Sequence, residues 1–223
     1  MKGNEANKGG FPMKKRIVLI DSQISVRDML VCILSRDSSY EIVGHASTGL
    51  DALKICMRER PDVAVIDLLL PELCGVEVIR RLMAGQPGTR ILVYSSTVNQ
   101  HLLIDAMKCR PHGFVGKSDT LQTFREALAA VCAGASYFTP FASSLLYNSL
   151  STPRAGAQHL SERESEILQL VAEGRSSKEI SSLLGVAVKT VENHRAHLME
   201  KLQLHDVASL TRYAVKLGIV SIE

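Results

Sequence analysis

The chain contains no tryptophan, and aromatic residues make up only 4% of it. That removes the stacking platforms on which proteins commonly hold single-stranded nucleic acid. No apolar run approaches the length of a bilayer span. The opening stretch MKGNEANKGGFPMKKR lacks the apolar core of a secretory signal. Residues 1–13 therefore read as a flexible tail, and the protein as cytoplasmic and without membrane contact. The 5 cysteines are odd in number and form no CxxC pair, so their spacing suggests neither a zinc ribbon nor a disulfide framework. They read as reduced thiols serving as small core hydrophobes, with a redox role left open for Cys74. A formal net charge of +3 is too small to identify a nucleic-acid partner. Such a contact would depend on local placement of charge.

What the chain does have is an alternation of β-rich runs and helical periodicity. Strands are expected at 16–20, 41–46, in the run DVAVIDLLLP (62–71), at 90–95 and at 113–116. Helices are expected at 26–34, about 49–59, 76–83, about 99–109 and 121–132. Units of this length build a parallel sheet covered by helices on both faces. In such a sheet, ligands bind outside the carboxyl ends of the strands. Asp67 stands at one such end, and Asp21, Ser95 and Lys117 stand at or just past three others. Alone, Asp67 could simply cap a turn. Four residues of complementary chemistry argue for a site. A carboxylate can act as a nucleophile toward phosphorus, and a cation with a hydroxyl donor can stabilise the anionic transition state.

The stretches RIVLIDSQISVRDML and PDVAVIDLLLPELCGVEVI make residues 14–134 resemble the receiver domain of bacterial two-component response regulators. The resemblance implies a flavodoxin-like, doubly wound, five-stranded parallel sheet. It implies that a sensor histidine kinase phosphorylates Asp67 and that Lys117 pairs with the phosphoryl oxygens. Ser95 would move to hydrogen-bond the phosphoryl group, and Phe114 would repack with it. It further implies Mg²⁺ held by Asp21, Asp67 and the backbone carbonyl of Leu69. One departure stands out: where the family usually has two adjacent acids, this chain reads Asp21-Ser22. Ser22 adds no charge and could hold a hard cation only through water, so weaker Mg²⁺ binding and slower transfer onto Asp67 are expected. Arg110 and Pro111 replace residues that are usually small in the family, with no functional account.

The sheet pattern stops at Ala133. Residues 138–150 can form one short helix, and the polar stretch STPRAGAQ (151–158) completes a linker over 135–158. Four helices are expected beyond it. Ser161 with Glu164, and Ser176 with Glu179, have capping-box spacing. Gly174 and Gly185 end the first two helices, a longer helix covers 189–201, and a last one runs from about 207 to 217. A short helix, a tight turn and a longer basic-faced helix make a helix-turn-helix.

The stretch LSERESEILQLVAEGRSSKEISSLLGVAVKTVENHRAHLMEKLQL makes residues 159–223 resemble the DNA-binding domain of the LuxR/FixJ/NarL class. The resemblance implies that 189–201 enters the major groove of double-stranded DNA, with Lys189 and Thr190 on phosphate. By periodicity Val191, His194 and Leu198 face the domain core, while Glu192, Asn193 and Ala196 face outward to the bases. Arg195 and Lys201 are expected to reach phosphates. Ala187 stands where the family often has a Ser or Thr cap. His194 and His197 sit three apart, but no third metal ligand accompanies them.

The whole chain thus reads as a non-enzymatic, DNA-binding transcriptional response regulator, dimerising through its last helix. In related proteins the unmodified receiver can cover the recognition helix. Two alternatives remain. Ser22 favours a phosphorylation-independent transcription factor with a pseudo-receiver. A phosphohydrolase would need an acid two residues after its nucleophile, where this chain has Leu69.

Overall fold

The computed structural model describes residues 13–97, 99–151 and 160–220; residues 1–12 of the predicted tail and 152–158 of the predicted linker lie outside them. The α/β unit runs β1 (Lys15–Ile20), α1 (Ile24–Leu34), β2 (Tyr40–Ala46), α2 (Gly49–Glu59), β3 (Val63–Ile66) and α3 (Gly75–Gly85). It continues through β4 (Arg90–Ser95), α4 (Gln100–Lys108), β5 (Gly113–Gly116) and α5 (Leu121–Cys132). Strands β1, β3 and β4 are continuous apolar runs because helices cover both faces of the sheet. Alternate residues go to opposite sides. Ile17, Leu19, Val63, Val65, Leu92 and Tyr94 pack with Leu30 of α1 and Phe124 of α5. Val18, Ile20, Ala64, Ile66, Ile91 and Val93 pack with residues of α2, α3 and α4.

The sheet has six parallel strands in the order β2-β1-β3-β4-β5-β6, one more than the sequence pattern predicts. The extra strand, β6 (Tyr137–Phe138), pairs with Gly113 and Phe114 of β5. Two residues are too few to show alternation, so only the pairing reveals them. They lead into α6 (Pro140–Ser151), whose Ala142 is fully buried in the core cluster that also contains Leu102 and Leu103 of α4.

The second unit comprises α7 (Glu162–Ala172), α8 (Ser177–Leu184), α9 (Val188–Leu202) and α10 (Val207–Leu217). Both capping boxes form, and Gly185 closes α8 in the left-handed region at φ +64. Ile167, Leu168, Leu170, Val171, Ile180, Val191, Leu198, Leu210 and Ala214 make the core. Helix α9 starts from Ala187, which has no side-chain cap.

Candidate functional site

The parallel ladder continues one residue past three strands. The amide of Asp21 donates to Ala46 O at 3.1 Å, that of Asp67 to Ile20 O at 2.9 Å, and that of Lys117 to Ser95 O at 2.9 Å. These bonds deliver the side chains of Asp21, Asp67 and Lys117 to a common point at the carboxyl edge, beside Ser95. Gly75 then lets α3 begin directly over β3, since a Cβ there would lie 2.1 Å from the Asp67 carbonyl oxygen.

Four predicted residues meet. Lys117 Nζ lies 2.7 Å from Asp21 Oδ2 and 2.6 Å from Asp67 Oδ2. Ser95 Oγ donates to Asp67 Oδ1 at 2.5 Å, and the Leu69 amide approaches the same oxygen at 3.3 Å. Asp21, Asp67 and Ser95 are buried. Burial pushes the Asp21 carboxyl up, against the hydrogen bonds from Lys117 and the Gln23 amide, and the charge of Asp67 pushes it further. Burial alone would lower the Lys117 ammonium, but its bonds to Asp21 and Asp67 hold it above its ordinary value. Gln23, which the sequence reading missed, donates its amide to Asp21 Oδ1 at 2.9 Å and accepts from Lys117 at 3.2 Å. Its position two residues after Asp21 carries no signal by itself, since the role depends on the bond to Lys117. Phe114 is buried in the core cluster containing Val93 and Leu102.

A cation here would meet two carboxylates and a carbonyl, all hard oxygen donors suited to Mg²⁺. Ser22 is half-buried, and its hydroxyl lies 3.4 Å from the Leu69 carbonyl oxygen. Among the described residues no group of three or more His, Cys, Asp or Glu converges to hold a metal. By donor chemistry Asp21 and Asp67 suit Mg²⁺, with one charged ligand fewer than an acid pair beside Asp67 would supply, and here both carboxylates are bonded to Lys117. Cys74 is buried and its thiol is pushed up to about 11, mainly by burial, which disfavours the thiolate that redox chemistry needs.

On α9, Val191 and Leu198 are fully buried, and Glu192, Asn193 and Ala196 are exposed. Lys189 is exposed and 3.5 Å from Glu192, while Thr190 is half-buried. Arg195 donates to Ser177 Oγ at 2.9 Å, and so braces α9 against the start of α8. The ammonium of Lys201 lies 2.7 Å from Glu164 Oε2 and ties α9 to the capping box of α7. The side chain of His197 lies 3.2 Å from Glu164 Oε1. Among the described residues, Glu192, Asn193 and Ala196 on the outward side of α9 are exposed and not covered by the α/β unit, which bonds to α7 and to the end of α10.

A buried lysine–carboxylate–hydroxyl pocket on a doubly wound sheet, joined to a helix-turn-helix, defines a receiver coupled to a DNA-binding effector. The chain belongs to the response regulators: residues 17–129 match the response regulator receiver domain, and residues 158–214 match the bacterial regulatory proteins of the luxR family. It is similar to the transcriptional regulatory protein MctR of Rhizobium johnstonii, with 31% identity covering 93% of this chain and 96% of that one. The oxygen regulatory protein NreC of Staphylococcus carnosus is 30% identical, over 90% of this chain and 97% of the relative. A solved structure of RcsB from Salmonella enterica serovar Typhimurium, bound to promoter rprA in the presence of phosphomimetic BeF3-, aligns with a TM-score of 0.55 and 25% identity, covering 92% of this chain and 100% of that one. The chain is a transcriptional response regulator with a receiver and a LuxR-type DNA-binding domain. No helix among the described residues is long and apolar enough to cross a membrane.

Proposed function

We propose that a sensor histidine kinase phosphorylates Asp67 and that this controls binding of α9 to double-stranded DNA by a cytoplasmic homodimer. The observation carrying the reading is the Asp67 carboxylate held between Lys117 Nζ at 2.6 Å and Ser95 Oγ at 2.5 Å. An Asp67 oxygen attacks phosphorus, the bond from phosphorus to the donor's leaving group breaks, and the leaving group departs with its electron pair. Lys117 neutralises the phosphoryl oxygens, and Ser95 exchanges its bond to Asp67 for one to the new group. Asp21, Asp67 and the Leu69 carbonyl would hold Mg²⁺, which supplies positive charge against those oxygens when bound. The position two residues after Asp67, where a phosphohydrolase would carry its acid, is Leu69. Lys189 and Thr190 are assigned to phosphate, Glu192, Asn193 and Ala196 to bases, and Arg195 to phosphate through the part of its guanidinium not bonded to Ser177. The promoter-bound RcsB structure supports DNA as the ligand of this two-domain arrangement.

Incubation with acetyl phosphate and Mg²⁺, read by intact mass, tests the assignment. One phosphoryl adduct that disappears in Asp67→Ala is expected; an adduct that survives the substitution overturns it. A second reading rests on Ser22. If no adduct forms while promoter binding is intact, the receiver is a phosphorylation-independent interaction module.

A further inference from the structure

Strand β2 is one edge of the sheet, so its outer side has no strand partner. A groove of about 380 Å³ lies at its carboxyl end, between α1 on one face of the sheet and α2 on the other. That is the size of a small-molecule site. Its charge is one-sided. Arg27 comes from α1, Lys54 and Arg58 come from α2, and Asp51 is the only acid in the lining among the described residues. His45 and Ser47 lie between them, on β2 and the turn that follows. The cations approach from opposite faces and converge only where the sheet ends. A charge run along one helix marks a solvated face. Cations gathered from two elements around one cleft raise its potential and concentrate anions.

Each cation keeps donors to spare. Arg27 is half-buried and anchored, since one terminal nitrogen donates to the Asp21 carbonyl oxygen at 2.5 Å. Its other N–H groups have no partner among the described residues. Arg58 is bonded through Nε to Glu59 at 2.7 Å, and both its terminal nitrogens are without a partner among the described residues. Lys54 meets Asp51 at 3.0 Å, but both side chains are largely exposed, and a surface pair of this kind is weak and easily exchanged. The main chain adds one more donor. Ala46 O accepts from the Asp21 amide, so the main-chain groups of Ala46 face β1. Successive strand residues turn these groups to opposite sides, so the His45 N–H faces the open edge.

We propose that this groove binds a small anion carrying two phosphate groups, with Arg27, Lys54 and Arg58 as its cationic partners. Guanidinium groups match phosphate oxygens through paired N–H donors, and an ammonium adds a point charge. Three cations against one acid suit a ligand of more than one negative charge. No phenyl or phenol ring lines the groove, so the site offers nothing on which a nucleobase would stack. The phosphates are therefore what it recognises, whether they are adjacent, as in pyrophosphate, or carried apart on a small organic body. Neither Asp67 nor Lys117 lines the groove. The proposal therefore does not rest on the phosphoacceptor reading, and it gives the receiver a second, diffusible ligand at the edge of its sheet.

The test uses the full chain at fixed ionic strength, with a chelator that keeps Mg²⁺ from bridging phosphates to the acidic pocket. Calorimetric titrations with inorganic pyrophosphate, bisphosphoglycerate and inorganic phosphate read the groove. Expected is one saturable site per chain for pyrophosphate or bisphosphoglycerate, about tenfold or more tighter than for inorganic phosphate. Arg58→Gln, at an exposed position, and Arg27→Gln should each weaken it about tenfold, the scale of one charge-assisted hydrogen bond. Thermal melting establishes that both are folded. Lys189→Gln removes a cation from α9 instead and should leave these affinities unchanged. Binding of pyrophosphate alone assigns adjacent phosphates, and binding of bisphosphoglycerate assigns separated ones; either supports the site. No saturable binding, equal affinity for inorganic phosphate, or binding that neither groove substitution weakens overturns it. A polyglutamate peptide that binds through Arg27 and Arg58 where neither diphosphate does would make the groove a peptide site and also overturn the proposal.

Discussion

The Lys117 ammonium lies 2.6 Å from the Asp67 carboxylate, with side chains only 9% and 3% exposed. It is also the counter-charge of Asp21, so one cation keeps two buried acids together. Replacing Lys117 by Met should abolish rapid labelling by acetyl phosphate. Removing one partner of a buried ion pair costs roughly 3–5 kcal/mol. With the lysine gone, protonation of one acid relieves the repulsion, so the loss should be largest at pH 7 and smaller at pH 5. Urea unfolding at the two values checks this; an equal loss at both would contradict it.

Ser22→Asp restores a carboxylate beside Asp21 and Asp67. Mg²⁺ should bind about tenfold or more tightly, since each 1.4 kcal/mol gained is tenfold in affinity, and Asp67 should label faster. Calorimetric titration and timed intact-mass spectra measure both. Unchanged affinity would show that Ser22 does not limit the site.

Substitutions on α9 should separate positioning from readout. Lys189→Ala should weaken binding to all sequences alike and reduce the salt slope by about one. Asn193→Ala should cost about 1–3 kcal/mol at the preferred site and relax preference at one base position. Selection from a random DNA pool at fixed salt distinguishes them; unaltered selection by Asn193→Ala would remove that residue from readout.

The carboxyl of Glu164 is held at about 2, below its ordinary 4.5: burial would raise it, but Lys201 and the Ser161 cap outweigh burial. A depressed carboxylate stabilises the fold above its unfolded value, and that contribution fades as pH falls through the folded value. Glu164→Gln should therefore melt lower than the unsubstituted chain at pH 6, with the difference shrinking from about pH 4.5 toward 2. A difference independent of pH would mean the charge is irrelevant.

Ala187 has the extended backbone of an N-cap, φ -66 and ψ 145, but no side-chain acceptor. Ala187→Ser should stabilise α9 by about 1 kcal/mol. Thermal melting should show a rise in midpoint; no rise would place the helix start outside the unfolding unit.

Much of the fold was legible because its signals are local. The apolar runs of β1, β3 and β4 and the serine–glutamate spacings of α7 and α8 act within a few residues. So the element order emerged with helix ends displaced by only a residue or two. The pocket was legible for a related reason. Parallel pairing in register brings the residues after Ile20 and Ile66 side by side. Gln23 was not legible, because its role depends on a bond across the pocket to Lys117.

Sequence alone, through periodicity and capping, determined a parallel sheet covered by helices on both faces and followed by a helix-turn-helix, with Asp21, Asp67, Ser95 and Lys117 at strand ends. Tertiary structure decided what no short-range pattern encodes. It paired β6 with β5, drew Lys201 to Glu164, and left the outward side of α9 open. Above all, it turned the polar side of α7, which periodicity assigns to water, onto the loop that follows Asp67. Amphipathicity says only which side of a helix is apolar; which surface the polar side meets depends on hydrogen-bond partners far away in the chain.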